Sequence, residues 1–171
     1  METFLAIASR RDERRYRPEP LPEQAVLQIL DAGRLAGSAG NRQPWTFVIP
    51  EGRERIERLA EAVYVGDNVR GAALVVAVLV QGKGPTSFDA GRASQNMLLA
   101  AWNAGIASCP NGVADVDAAR AALDAGEGEV VSIVLTFGLP GRARDPGARG
   151  AEDWSDRANR RPLSDVVRRL P

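Results

Sequence analysis

The sequence predicts an α+β fold of three layers, with helices on both faces of a small mixed β-sheet, in one domain over residues 1–171. Three observations predict it. Residues 72–80 are apolar without polar alternation, which marks a strand covered on both faces, and residues 130–137 read as a second buried strand. Segments with apolar residues at helical spacing lie between and around them. Few connections are long enough for a regular doubly wound sheet, which leaves a layered α+β arrangement. The length suffices for one hydrophobic core.

The elements follow in order. Residues 2–8 read as a short helix. Pro18, Pro20 and Pro22 impose an extended connector, because proline denies its predecessor the helical conformation. Pro22 can also open a helix, and Ala25, Val26, Ile29, Leu30 and Ala32 carry its apolar face to about residue 36. The small residues from Gly37 to Asn41 break it. Residues 45–49 form a strand closed by Pro50 and Gly52. Helix returns over 53–63, with Ile56, Leu59, Ala60 and Val63 on one face.

After the 72–80 strand, residues 81–85 form a turn. Gln81-Gly82-Lys83-Gly84-Pro85-Thr86-Ser87 superficially suggests a phosphate loop, but Gly84 follows the lysine where Ser or Thr is needed. As a dinucleotide loop it fails too, with Ser87 in place of the third glycine. A helix capped by Thr86 or Ser87 then runs to about residue 103. Ala93, Met97, Leu98, Ala100, Ala101 and Trp102 make it apolar around most of its girth, which predicts burial on all sides and a subunit interface. Gly105 ends it. A short helix spans 115–123. The 130–137 strand stops at Gly138 and Pro140, residues 141–160 form a polar loop, and 163–170 an amphipathic end. The lone Cys109 reads as a buried small apolar residue.

Composition narrows the chemistry. The chain has no histidine, so a Ser-His-Asp triad, an imidazole base and a His-based zinc site are all excluded. One cysteine excludes an internal disulfide and a cysteine-cluster metal site, and no metal is expected. Such a chain binds something or borrows chemistry from a cofactor. Basic and acidic residues balance at 22 each, which argues against nucleic acid and acidic membranes as partners. Every basic residue but Lys83 is an arginine, and arginines crowd both ends of the chain. Their guanidinium forks suit phosphate and carboxylate. The start lacks the pattern of a signal peptide, and the longest apolar stretch is too short to span a bilayer. The expectation is a cytoplasmic protein.

Four segments carry chemistry together. The first is Ser9-Arg10-Arg11-Asp12-Glu13-Arg14-Arg15-Tyr16-Arg17-Pro18, and the second is Ala36-Gly37-Ser38-Ala39-Gly40-Asn41-Arg42-Gln43-Pro44-Trp45. The third is the helix from Gly91 leading to Gly105-Ile106-Ala107-Ser108-Cys109-Pro110-Asn111-Gly112. The fourth is Phe137-Gly138-Leu139-Pro140 followed by Arg160-Arg161-Pro162-Leu163. In this order and spacing they resemble the FMN-dependent nitroreductase family along nearly the whole chain. The resemblance implies a homodimer with FMN at the subunit interface and NAD(P)H as electron donor. Hydride would pass by a ping-pong route through flavin N5 to a nitroaromatic, a quinone or a similar small acceptor.

The resemblance also implies roles. Arg10, Arg11, Arg14, Arg160 and Arg161 supply cations, with Arg10 on the phosphate and Arg14 toward the ribityl chain and the N1/C2 side of the ring. Charge-assisted donors of this kind contribute roughly 1.5–3 kcal/mol each. Gly37, Ser38 and Ala39 let backbone approach the flavin, and Asn41 and Gln43 offer amides. Pro110, Asn111 and Gly112 line the flavin edge, with a backbone N–H toward N5. Asn68 faces the pyrimidine end. Apart from the resemblance, Trp45 reads as core packing rather than ligand contact.

Three departures from the family pattern stand out. Asp12 replaces a common serine at the phosphate, and an Arg-Arg-Asp run also resembles the branch that fragments FMN to dimethylbenzimidazole, where the aspartate takes part. The alternative is therefore a flavin-binding or flavin-remodelling protein without general NAD(P)H turnover. Gly37 replaces a usual proline. Residues 81–88 are short where relatives carry extra helices, which predicts an open, poorly lidded flavin face.

Overall fold

A computed structural model describes residues 1–170. The chain separates into two compact units, one of residues 11–143 and one of residues 1–10 with 144–170.

The larger unit is built on four strands, β1 (Trp45–Val48), β2 (Leu74–Val80), β3 (Ala107–Asn111) and β4 (Val130–Gly138), in the order β1-β2-β4-β3. All three pairings are antiparallel, so the expected mixed sheet is replaced by a purely antiparallel one. β2 and β4 are central, which explains the unbroken apolar sequence of β2 and the mostly apolar sequence of β4: each buries both faces.

Two cores sandwich the sheet. On one side Val76, Val78, Leu135 and Phe137 meet Ile29 of α1 (Glu23–Arg34) and Met97, Leu98 and Ala101 of α2 (Thr86–Asn103). Close approach of these helices requires Gly33, because a Cβ there would run into Met97 and Phe47. Trp45 stacks on Phe47, with centroids 6.3 Å apart, and packs against the same core as expected. On the other side Val75, Ala77, Leu79 and Val134 meet Leu59 of α3 (Arg53–Glu61), Val69 of α4 (Gly66–Arg70) and Ala119 and Ala122 of α5 (Val116–Ala122). The three-layer expectation therefore holds within this unit.

Several local expectations are corrected. α2 is not buried all round: Phe88, Gly91, Arg92, Gln95 and Asn96 form an exposed face. The alanines and Met97 occupy the other side, so within the chain the helix is amphipathic by burial. α4 and β3 were not anticipated, because α4 is a single turn and β3 contains Pro110. Proline fits there only because β3 is an edge strand with one side free of the ladder.

The smaller unit holds a helix at Thr3–Ser9, whose N-terminal amides of Phe4 and Leu5 are capped by the Glu2 carboxylate at 2.8 Å. It also holds helices at Ala151–Asp156 and Leu163–Val166. Residues 141–160, expected as loop, thus contain a helix. It is pinned by the Trp154 indole N–H, which donates to the Pro146 carbonyl at 2.8 Å. Among the described residues no helix is long and apolar enough to cross a membrane.

Candidate functional site

The site grows from the free edge of β3. Glu13 donates its backbone N–H to the Ser108 carbonyl at 3.0 Å, so Ser108 faces away from β4. Backbone groups alternate sides along a strand, so Pro110 and Gly112 face the same open edge. Pro110 has no N–H. The Gly112 carbonyl accepts from the Tyr64 N–H at 3.1 Å. The Gly112 N–H points along that edge and donates to no acceptor among the described residues. The exposed Tyr64 ring covers Gly112 so closely that an added Cβ would sit 3.1 Å from it.

The 11–17 segment is held beside this edge. Arg17 donates its N–H to the Leu139 carbonyl at 2.9 Å, and Gly141 donates to the Arg15 carbonyl at 3.0 Å, with Tyr16 bridged to Pro140. Tyr16 lies directly on Gly138. This brings the backbones carrying Arg11, Asp12 and Arg14 alongside β3 and the end of β4. Arg14 is exposed.

Behind the edge lies a buried polar network. The Tyr16 hydroxyl is 2.9 Å from Thr136 Oγ1. Thr136 Oγ1 donates to the Cys109 carbonyl at 3.1 Å and also accepts from Asn111 Nδ2 at 3.1 Å. The Tyr16 hydroxyl also reaches the Thr136 carbonyl at 3.3 Å, so its one hydrogen has two acceptors on Thr136 within range. Asn111 Nδ2 also reaches the carbonyls of Cys109 at 3.0 Å and Val134 at 3.2 Å. Its Oδ1 accepts from Asn68 Nδ2 at 2.7 Å. Burial pushes the Tyr16 phenol well above its ordinary range, against the opposing effect of the Thr136 hydrogen bond, so it stays neutral. Asn68 and Asn111 therefore turn their amides toward each other and into the protein.

The 37–43 loop is the second part. Gly40, Asn41 and Gln43 all have positive φ, at 58°, 54° and 49°. Left-handed backbone at two residues other than glycine costs energy that the surroundings must offset. The offsets are visible. Ser38 Oγ accepts from the Gln43 N–H at 2.8 Å, the Gln43 amide reaches Asn41 at 3.3 Å, and the buried carboxylate of Asp89 accepts from the Ala39 N–H at 3.1 Å. Beside the loop runs an open groove of about 410 Å³ lined by Gly37, Phe88, Arg92 and Gln95 among others. The Arg92 guanidinium sits 5.9 Å from the Phe88 ring centroid and against Gly37, where a Cβ would collide with it.

Sequence reasoning missed Tyr16, Tyr64, Asp89, Arg92 and Thr136. Thr136 carried a signal, as one of two hydroxyls, with Ser132, in an otherwise apolar stretch. Of the anticipated residues, Arg11, Asp12, Arg14, Asn68, Pro110, Asn111 and Gly112 gather around β3. Gly37, Ser38, Ala39, Asn41 and Gln43 form the loop. Arg10, Arg160 and Arg161 belong to the smaller unit, where Arg161 donates to the Asp165 carbonyl at 2.8 Å.

A flavin mononucleotide fits these features in kind. They include an outward backbone donor on a strand edge, a glycine at the donor, and a buried Ser108 hydroxyl on the same strand without a hydrogen-bond partner. Among the described residues no cluster of three or more His, Cys, Asp or Glu could hold a metal.

The sequence profile of the Nitroreductase family matches residues 7–83 and 81–139. A protein of Methanothermobacter thermautotrophicus, provisionally named an NADH dehydrogenase/NAD(P)H nitroreductase, is 31% identical over 90% of this chain and 84% of its own. A crystal structure of a provisionally assigned nitroreductase from Desulfovibrio desulfuricans, in complex with FMN, superposes with a TM-score of 0.80 at 28% identity. It covers 100% of this chain and 98% of that one. A 5,6-dimethylbenzimidazole synthase of Rhodospirillum rubrum is 45% identical over 47 residues, 27% of this chain and 22% of its own.

Proposed function

The chain belongs to the nitroreductase family, and we propose that it is an FMN-dependent oxidoreductase. Its electron donor is NAD(P)H and its acceptor a nitroaromatic, a quinone or a similar small molecule. The observation that carries this reading is the open edge of β3, where the Gly112 N–H stands without a protein acceptor. FMN, when bound, supplies the hydride-accepting and hydride-donating atom. The protein supplies binding and orientation. Gly112 would hold the ring through its backbone N–H on the N5 side, Pro110 and Asn111 would shape that edge, and Arg14 would supply a cation favouring negative charge there. Arg11 and Asp12 flank the same segment. Arg10, Arg160 and Arg161 are assigned to phosphate on the sequence resemblance. The loop residues Gly37, Ser38, Ala39, Asn41 and Gln43 serve the flavin of a second subunit in a homodimer, and the left-handed backbone there supports a ligand-facing role. No acid-base side chain is needed, in keeping with the absence of histidine. The protein works in the cytoplasm.

The test is an absorbance spectrum of the purified protein after incubation with FMN, then anaerobic titration with NADH and with NADPH. The expected result is a bound-flavin band that bleaches rapidly with one of them. Protein that stays colourless overturns the reading. The 45% identical stretch shared with a dimethylbenzimidazole synthase and the Arg10-Arg11-Asp12 run favour a second reading, flavin remodelling with Asp12 taking part. That reading expects bound flavin, negligible NAD(P)H oxidation and dimethylbenzimidazole after aerobic reduction.

A further inference from the structure

The buried network behind β3 has a layout that packing alone does not require. Apolar residues make up most of the sheet interior, yet Asn68, Asn111 and Thr136 are each at least 95% buried and are linked to one another. Thr136 Oγ1 makes three contacts: it donates to the Cys109 carbonyl, accepts from Asn111 Nδ2 and meets the Tyr16 hydroxyl, which also reaches the Thr136 carbonyl. Asn111 Nδ2 distributes two hydrogens among three acceptors, and its oxygen receives Asn68. A buried polar group is tolerated only when satisfied, and a fully satisfied set specifies one arrangement of the chain segments it joins.

The segments joined are the telling part. Tyr16 belongs to the stretch that carries Arg11, Asp12 and Arg14. Asn111 adjoins Gly112 and its outward N–H. Asn68 is the middle residue of α4. Two stretches of candidate cofactor-binding residues thus meet at one hydroxyl of β4, and a third joins them through the Asn68–Asn111 bond. We propose that Tyr16, Thr136, Asn111 and Asn68 form a positioning unit that aims the Gly112 N–H and holds the Arg11–Arg14 backbone in fixed relation to it, without touching the ligand through Thr136 or the Tyr16 hydroxyl. This rests on the flavin-binding reading and deepens it. A displaced Gly112 N–H interacts differently with oxidised and reduced flavin, because the two differ in charge and protonation at the ring. The unit therefore controls the ratio of the two affinities rather than binding in general.

The experiment compares wild type, Thr136→Val, Thr136→Ser and Tyr16→Phe. It measures dissociation constants for oxidised FMN and for FMN reduced anaerobically with dithionite, with thermal unfolding in parallel. Valine keeps the shape of threonine and removes the hub oxygen, whereas serine keeps the oxygen. Thr136→Val is expected to change the ratio of the two constants by about tenfold, Thr136→Ser to restore it to within about twofold of wild type, and Tyr16→Phe to change it by roughly threefold. A merely structural role would lower the unfolding temperature and leave the ratio alone, and that result overturns the proposal. If Thr136→Val does not fold, Tyr16→Phe decides, since it removes one hydroxyl and no packing volume; an unchanged ratio there also overturns the proposal. Wild-type protein that binds neither form of FMN overturns the underlying functional reading, an outcome distinct from a wild type that binds both while the variants keep its ratio.

Discussion

Replacing Gly138 by alanine tests how the end of β4 seats Tyr16. Gly138 is buried at the last position of β4 and does not adopt a left-handed conformation, so the backbone accepts alanine. The obstacle is steric. An ideal Cβ would lie 2.7 Å from both Cβ and Cγ of Tyr16 and 2.8 Å from Cδ1. These atoms are the root of the side chain, so no rotation at its far end relieves the clash. Tyr16 must shift as a body, and its hydroxyl then leaves Thr136. Overpacking costs about 1–3 kcal/mol. The lost hydrogen bond adds about 1 kcal/mol. The expected loss is therefore about 2–4 kcal/mol, and for a urea slope of about 2 kcal/mol/M the midpoint falls by roughly 1–2 M. The assay is equilibrium urea unfolding followed by circular dichroism. A double-mutant cycle with Tyr16→Ala isolates the cause, because the alanine at 138 should cost little once the ring is gone, giving a coupling of at least about 1 kcal/mol. A midpoint within about 0.3 M of wild type, or additive effects in the cycle, would refute the steric argument.

Two further outcomes test local features. Asp115 caps α5 by accepting the Ala118 N–H at 2.9 Å, so Asp115→Ala should lower stability by about 1 kcal/mol in the same unfolding assay. Arg70 grips both carboxylate oxygens of Glu57, at 2.6 to 3.0 Å, and that hydrogen bonding holds the Glu57 carboxyl below its ordinary range. A folded-state value below the unfolded one means stabilisation that is present above the unfolded value and fades as pH falls through the folded one. Carboxyl NMR titration should therefore show Glu57 rising toward its ordinary value in Arg70→Gln, and an unchanged titration would refute the pairing.

Much of the layered frame was legible in the sequence, and for identifiable reasons. β2 and β4 declared themselves because central strands bury both faces and so carry largely apolar runs, unbroken in β2. Ile56, Leu59 and Ala60 marked the inner face of α3 by their spacing, while Val63, expected on the same helix, lies past its end at Glu61 and bridges to Val113. The Gly37–Asn41 break and the turn after Val80 were legible because local runs of small residues, glycine and proline mark them. β3 was hidden because an edge strand tolerates Pro110 and needs little apolar character. The antiparallel sense of every pairing lies in chain paths that no local pattern records.

The candidate site divides along the same line. The sequence by itself determined the chemical inventory: no imidazole, one thiol, arginines in place of lysines, and the segments shared with the nitroreductases. These are facts of side-chain type and order. Only the tertiary structure decided which of those groups face outward and which face each other. It turned the amides of Asn68 and Asn111 inward, made Thr136 the hub between Tyr16 and Asn111, and left the Gly112 N–H on an open edge. The physical reason is that satisfying a buried polar group depends on partners far away in the chain. Tyr16 and Thr136 lie 120 residues apart, and only the pairing of segments across the sheet brings them together.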